Sequence, residues 1–138
     1  MFTHIMVPYN MADREKCAKS IKVAGDLARR HDARMTLVSV AGGINGMVSH
    51  SVDEMERLLS AYAAQVGVAE RVEVDSRFYD VPDPSVEVDR VLIKAIGDTG
   101  ADLVVMASHH PGWVEYLVNS HGGRVASHAQ VSVFVVRD

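Results

Sequence analysis

The chain has 138 residues, 48% of them hydrophobic and 23% charged, a size and balance that fit one globular domain and exclude a disordered or fibrous chain. Its net charge is −4 and no Lys/Arg block extends beyond Arg29-Arg30, so the positive footprint needed by a nucleic-acid partner is missing. The single cysteine, Cys17, excludes an internal disulfide and a cysteine-rich metal framework.

Residues 1–138 are therefore read as one domain. Met1 to Asn10 has no basic start leading into a long apolar stretch, and no window approaches about 18 consecutive apolar residues. The expectation is a cytoplasmic protein with no membrane partner.

Ile5-Met6-Val7-Pro8 is a short apolar burst stopped by a proline that cannot donate to a sheet ladder, and it predicts the first strand. From Ala12 to His31, Cys17, Ala18, Ile21, Ala24 and Ala28 recur at helical spacing, so one stripe should rest on a core. Met35 to Val40 predicts a second strand closed by Gly42-Gly43, with a loop to His50. A second helix follows, with Ser51 as N-cap, Glu54 three residues on, and Val52, Met55, Leu59, Tyr62, Ala63 and Val66 as its buried stripe.

Val72 to Tyr79 alternates Val72, Val74, Ser76 and Phe78 with charged neighbours, which predicts a third strand with one wet face near a sheet edge. Pro82 and Pro84 break the chain. Val88, Val91, Leu92, Ala95 and Ile96 then predict a third helix that stops at Gly100. Leu103-Val104-Val105-Met106 is continuously apolar, as a central parallel strand covered on both faces should be. After Pro111 and Gly112, the positions Val114, Leu117, Val118, His121, Val125 and Ala129 predict a last helix, and Val131 to Val136 a fifth strand.

Strands alternating with helices require right-handed crossovers and put helices on both faces of a parallel sheet, so the expected fold class is a doubly wound α/β domain. Ligands of such sheets settle outside the carboxyl ends of the strands, where strand order reverses. With strands one and four as neighbours, that crevice would be walled by Pro8-Tyr9-Asn10 and by Ala107 to Gly112. Asn119-Ser120-His121-Gly122-Gly123 opens the well-patterned part of the last helix, where free backbone N–H groups and the positive dipole end favour phosphate.

Val105-Met106-Ala107-Ser108-His109-His110-Pro111-Gly112, Tyr116 to Ser120, Arg124 to Ala129 and Val133 to Arg137 together resemble the carboxyl-terminal signature of the universal stress proteins. Strand one ending in Val7-Pro8, Val38-Ser39-Val40, and Gly100 to Met106 are similar too, so the resemblance spans the chain. It implies a five-stranded sheet of order 3-2-1-4-5, like that of the adenine nucleotide alpha hydrolases. It also implies a homodimer through strand five, Val131 to Val136, and a stress-response regulator that binds ATP or another adenine nucleotide. Carried onto this sequence, the ligand would meet Pro8 and Val40 at the base and Asn10 near the ribose. Ala107, Ser108, His109, Ser120 and His121 would surround the phosphates, and Tyr9, Met106, His110, Gly112, Asn119 and Gly122 would border the same site.

The sequence departs from the family's motif of glycine, two residues, glycine, nine residues, then glycine and serine or threonine. Ala107 stands at the first glycine, and Ser108-His109-His110-Pro111 holds no second; this Ser-His-x-Pro turn resembles a branch with a shorter loop that still binds nucleotide. Asn119 replaces the glycine before Ser120, adding a side chain where backbone must approach an anion. Asn10 stands where nucleotide-binding relatives carry an aspartate, keeping a hydrogen-bonding carbonyl but losing the charge. Both asparagines also fit as turn formers, which leaves open a dimeric interaction module with weakened or lost nucleotide binding.

Other chemistries find less support. His109 and His110 diverge as neighbours on a loop, so no metal site is expected. Ser120 lies in no Gly-x-Ser-x-Gly elbow, and no Walker-type phosphate loop is present. A general base or carboxylate pair for ATP hydrolysis is not placed near the crevice, so no catalytic residue is assigned.

Overall fold

The computed structural model describes residues 1–42, 52–81, 84–108 and 131–137. In chain order these form β1 (His4–Pro8), α1 (Arg14–His31), β2 (Arg34–Gly42), α2 (Val52–Glu70), β3 (Val74–Val81), α3 (Pro84–Thr99), β4 (Leu103–Ala107) and β5 (Ser132–Val136). The strands make one parallel sheet in the order β3-β2-β1-β4-β5, as the sequence and its family resemblance predict.

Alternation along each strand sends odd and even positions to opposite faces. Ile5, Val7, Leu37 and Val105 meet Cys17, Ile21, Ala24 and Ala28 of α1 and Leu59, Ala63 and Val66 of α2 in one core. Met6, Val38, Val104 and Met106 meet Leu92, Ala95 and Ile96 of α3 in the other. All five residues of β4 are buried, the signature of a strand covered on both sides, whereas β3 alternates half-buried and exposed positions at the sheet's edge. Full burial of one such aliphatic side chain stabilises by about 1.5–3 kcal/mol, so the two faces of β1 and β4 anchor the layers.

Several boundaries and stripe positions differ from expectation. Ala18 is exposed, and Val52 keeps 40% of its surface because it opens α2 ahead of the residues that reach the sheet. α1 begins at Arg14 rather than Ala12, since residues 10–13 are folded into a turn in which the Asp13 amide donates to the Asn10 carbonyl at 3.0 Å. β3 begins at Val74 because the Val72 amide still closes α2 on the Gly67 carbonyl at 3.2 Å and Arg71 sits at φ 60°. The loop to His50 with Gly43, the Ser51 cap, Pro82 and the last helix with Val114, Leu117, Val118, Val125 and Ala129 lie outside the described residues.

Gly100 ends α3 as expected. Its φ of +69° is left-handed, and its amide donates to the Ile96 carbonyl at 3.0 Å, closing the last turn. Gly97, by contrast, lies in α3 with open space where a Cβ would go. Gly100→Val is therefore expected to destabilise the fold by about 1–2 kcal/mol, and Gly97→Ala to stabilise it by about 0.5–1 kcal/mol. Urea denaturation of the two variants should move the midpoint in opposite directions.

Candidate functional site

The order of the strands reverses between β1 and β4, so that is where a crevice can open. β1 pairs with β2 along its whole length, from His4↔Arg34 to Pro8↔Val38, and β4 pairs with β5 as far as Ala107↔Val136. Between β1 and β4 the register holds only Ile5↔Leu103 and Met6↔Val104. Past those pairs the ladder between β1 and β4 ends, while each strand stays paired to its outer neighbour.

Pro8 explains where the ladder ends. The Tyr9 amide donates to the Val38 carbonyl of β2 at 2.8 Å, and the Asp102 amide donates to the His4 carbonyl at 3.0 Å. Odd positions of β1 therefore address β2 and even ones β4. Position 8 would have to donate toward β4, and proline has no N–H to give. β2 runs on to Gly42, paired with β3 as far as Val81, and stands as a wall above the end of β1.

The expected site residues take distinct places around this mouth. Pro8 and Ala107 are buried where the two strands end, and Ser108 is half-buried just beyond; its amide donates to the Val136 carbonyl at 3.0 Å. Val40 is half-buried on the wall, on the α3 face. Met106 is fully buried in the α3-side core, so it forms floor rather than lining. His109, His110, Gly112, Asn119, Ser120, His121 and Gly122 lie outside the described residues.

Asn10 is exposed at the mouth. Its Oδ1 accepts from the Ala12 amide at 2.9 Å, an Asx turn that leads the chain into α1, while its own amide reaches Cys17 Sγ at 3.5 Å. A carbonyl oxygen has two acceptor positions, so one remains beside the turn that Asn10 builds. Burial pushes the Cys17 thiol up from its ordinary pKa, against the hydrogen bond from Asn10, which keeps it a neutral packing group.

Tyr9 turns the other way. Its ring is buried and stacks on Tyr62 with centroids 4.7 Å apart and planes 15° from parallel. Its hydroxyl accepts from Arg14 Nε at 3.0 Å, and the Arg14 guanidinium lies 4.9 Å over the Tyr62 ring, a cation–π arrangement. Burial raises the Tyr9 pKa, with the Arg14 hydrogen bond pulling against it, so the phenol stays neutral. The ring thus serves the core between α1 and α2, and the backbone of Tyr9 is what shapes the mouth.

Ser39 was not singled out by sequence reasoning. It is buried, and its hydroxyl donates to the Tyr9 carbonyl at 2.5 Å, pinning the exit of β1 to β2. A serine inside an apolar strand carries no signal of that role, which becomes visible only when the two strands lie side by side. Two described grooves lie away from the mouth, one of about 430 Å3 along β3 and one of about 400 Å3 near Arg34 and Arg71. Among the described residues no three His, Cys, Asp or Glu side chains gather as a metal site, and no described helix is long and apolar enough to cross a membrane.

The model of the universal stress protein family matches residues 1–137. The chain belongs to the universal stress protein family. Its fold is shared with solved universal stress proteins at low sequence identity. One, in complex with cAMP, is 15% identical with a TM-score of 0.62, covering 98% of this chain and 97% of that one. Another, from Arabidopsis thaliana with AMP bound, is 16% identical with a TM-score of 0.62, covering 98% and 91%. A third, from Archaeoglobus fulgidus in complex with dAMP, is 12% identical with a TM-score of 0.58, covering 98% and 97%. Members of this family with the same sheet therefore include proteins that hold adenine nucleotides.

Proposed function

We propose that this universal stress protein binds an adenine nucleotide, ATP or AMP, at the carboxyl ends of β1 and β4 and acts as a regulator rather than through a catalytic residue of its own. The observation that carries the reading is the early end of the β1–β4 ladder where strand order reverses, with buried Pro8 and Ala107 at the strand ends and half-buried Val40 on the neighbouring strand. Relatives of the same fold in complex with cAMP, dAMP and AMP support it. In this reading Asn10 lies by the ribose and Ala107, Ser108, His109, Ser120 and His121 lie around the phosphates, with His110, Gly112, Asn119 and Gly122 bordering the same site. Calorimetric titration of the folded protein with AMP and with ATP should give saturable binding below millimolar concentration. Flat titrations of both would overturn the reading.

A second reading, an interaction module with weakened nucleotide affinity, draws on Asn10, whose Oδ1 already serves the turn into α1. The double variant Asn10→Asp, Asn119→Gly separates the two: binding gained only in the double variant supports loss in the natural protein. In either reading residues 1–138 form one cytoplasmic domain that dimerises through β5. That strand lies at the sheet's edge with Phe134 45% exposed, a surface that pairing across a two-fold axis would cover. Native mass spectrometry reports the subunit count and any co-purified nucleotide together.

A further inference from the structure

At the opposite, amino-terminal end of the sheet, a buried histidine sits in a chain of hydrogen bonds that the nucleotide reading does not use. His4 opens β1 and is 5% exposed. Its Nε2 lies 2.6 Å from the Thr36 hydroxyl on β2, and that hydroxyl donates to a carboxylate oxygen of Asp75 on β3. The ring also hydrogen-bonds the Thr99 backbone at the end of α3 in the sense that favours its charged form, as donation to a carbonyl does. With Nε2 turned to Thr36, that donation falls to Nδ1.

Thr36 has one hydroxyl hydrogen and two neighbours that can accept it. If it goes to Asp75, Nε2 must carry its own proton, and a ring that also donates from Nδ1 is an imidazolium. If the ring is neutral and keeps its Nδ1 bond, Nε2 is a bare lone pair and draws the Thr36 hydrogen away from Asp75. The two arrangements exclude each other, and one proton on Nε2 selects between them.

The groups facing the ring pull in both directions. Burial lowers its pKa most, and Arg34 on β2 adds to that; Asp75 on β3, the Thr99 backbone on α3 and Asp102 at the start of β4 oppose. Burial prevails and the midpoint lies below the ordinary 6.5. Asp75 itself is exposed and lines the groove along β3 with Glu56, Ser60, Arg77 and Tyr79.

We propose that His4, Thr36 and Asp75 form a proton-controlled latch across β1, β2 and β3. Loss of the Nε2 proton to solvent rotates the Thr36 hydroxyl toward the ring and releases the Asp75 carboxylate into the groove. At low pH the carboxylate is tied to the sheet, and at higher pH it is free to receive a cationic group.

NMR on the full chain tests this, following the His4 ring nitrogens and the Asp75 carboxyl carbon through a pH titration. The Asp75 signal should move at the His4 midpoint in the natural protein. In Thr36→Val, which has no hydroxyl to hand over, that response should collapse, while Thr36→Ser should retain it. Asp75→Asn, an exposed substitution, should shift the His4 midpoint downward because a favourable charge is removed. An Asp75 signal that stays flat at the His4 midpoint, an undiminished response in Thr36→Val, or an unmoved midpoint in Asp75→Asn would each overturn the latch. Amide spectra at neutral pH check that each variant is folded, and Asp75→Asn with Thr36→Ser decides the question if Thr36→Val is not.

Discussion

Leu37→Ala should lower the unfolding free energy by about 3 kcal/mol, seen as a drop in the urea midpoint with little change in slope. Leu37 has no exposed surface and sits in β2 on the α1/α2 face, in one core with Ile5, Val7, Leu59 and Val66. β2 is paired on both sides, to β1 and to β3, so its backbone cannot move inward to fill the space that the lost carbons leave. A cavity that does not collapse forfeits dispersion contacts as well as the transfer energy, which places this site toward the costly side of Leu→Ala changes. Leu58 is the control: 44% exposed on α2, it should change stability by no more than about 0.5 kcal/mol when replaced by alanine. Equal effects at the two sites would mean that the α1/α2 face is not the packed layer it is taken to be.

How far the amino-acid sequence reaches follows from how local each signal is. β4 was legible because Leu103 to Met106 is apolar at every position, which only a strand buried on both faces tolerates. Its burial is complete. The edge place of β3 was legible from the charges at Glu73, Asp75 and Arg77, and the end of α3 from Gly100, whose left-handed backbone is observed. Periodicity alone misplaced Ala18 and Val52, because a helical stripe does not say how far each turn overlaps the sheet. The crevice was legible in outline, since Pro8 marks where β1 stops. That proline also withholds the hydrogen bond toward β4, a point that needed the strand parity. Tyr9 was assigned to the mouth by its neighbours in sequence, whereas its ring turns to Tyr62, a partner 53 positions away. The same holds for Ser39 and for the His4–Thr36–Asp75 chain. Each is a polar contact between strands, and no pattern within one strand announces it.

The second large effect is expected at Asp102, the residue that joins the starts of three strands. Its carboxylate accepts from the Thr3 amide at 3.0 Å, from the His4 amide at 3.1 Å and from the Thr3 hydroxyl at 3.2 Å. Its backbone donates to the His4 carbonyl and accepts from the Ser132 amide. The side chain therefore serves the two amides that enter β1, one of them on the side where β4 would otherwise supply a carbonyl. Burial pushes the Asp102 pKa up, but the hydrogen bonds from His4 and Thr3 together outweigh it and hold the group below its ordinary value. Asp102→Ala should destabilise by about 2 kcal/mol, the scale of hydrogen bonds to a charged group together with the donors left without a partner. Asp102→Asn, which keeps a carbonyl acceptor, should lose less. A carboxylate with a depressed folded pKa stabilises above its unfolded value, about 3.9, and loses that contribution as pH falls through the folded one. The carboxylate's own contribution to the gap between the natural protein and Asp102→Ala should thus be level from neutral pH down to about pH 4 and narrow below it. Denaturant midpoints measured at intervals over that range decide the matter: a gap that stays constant into strong acid would show that the carboxylate's charge is not what secures the entry to β1. Asp102 also favours the charged form of His4, so His4 titrates lower in Asp102→Ala and widens the gap as pH falls through its midpoint; the narrowing in acid has the opposite sign and belongs to Asp102.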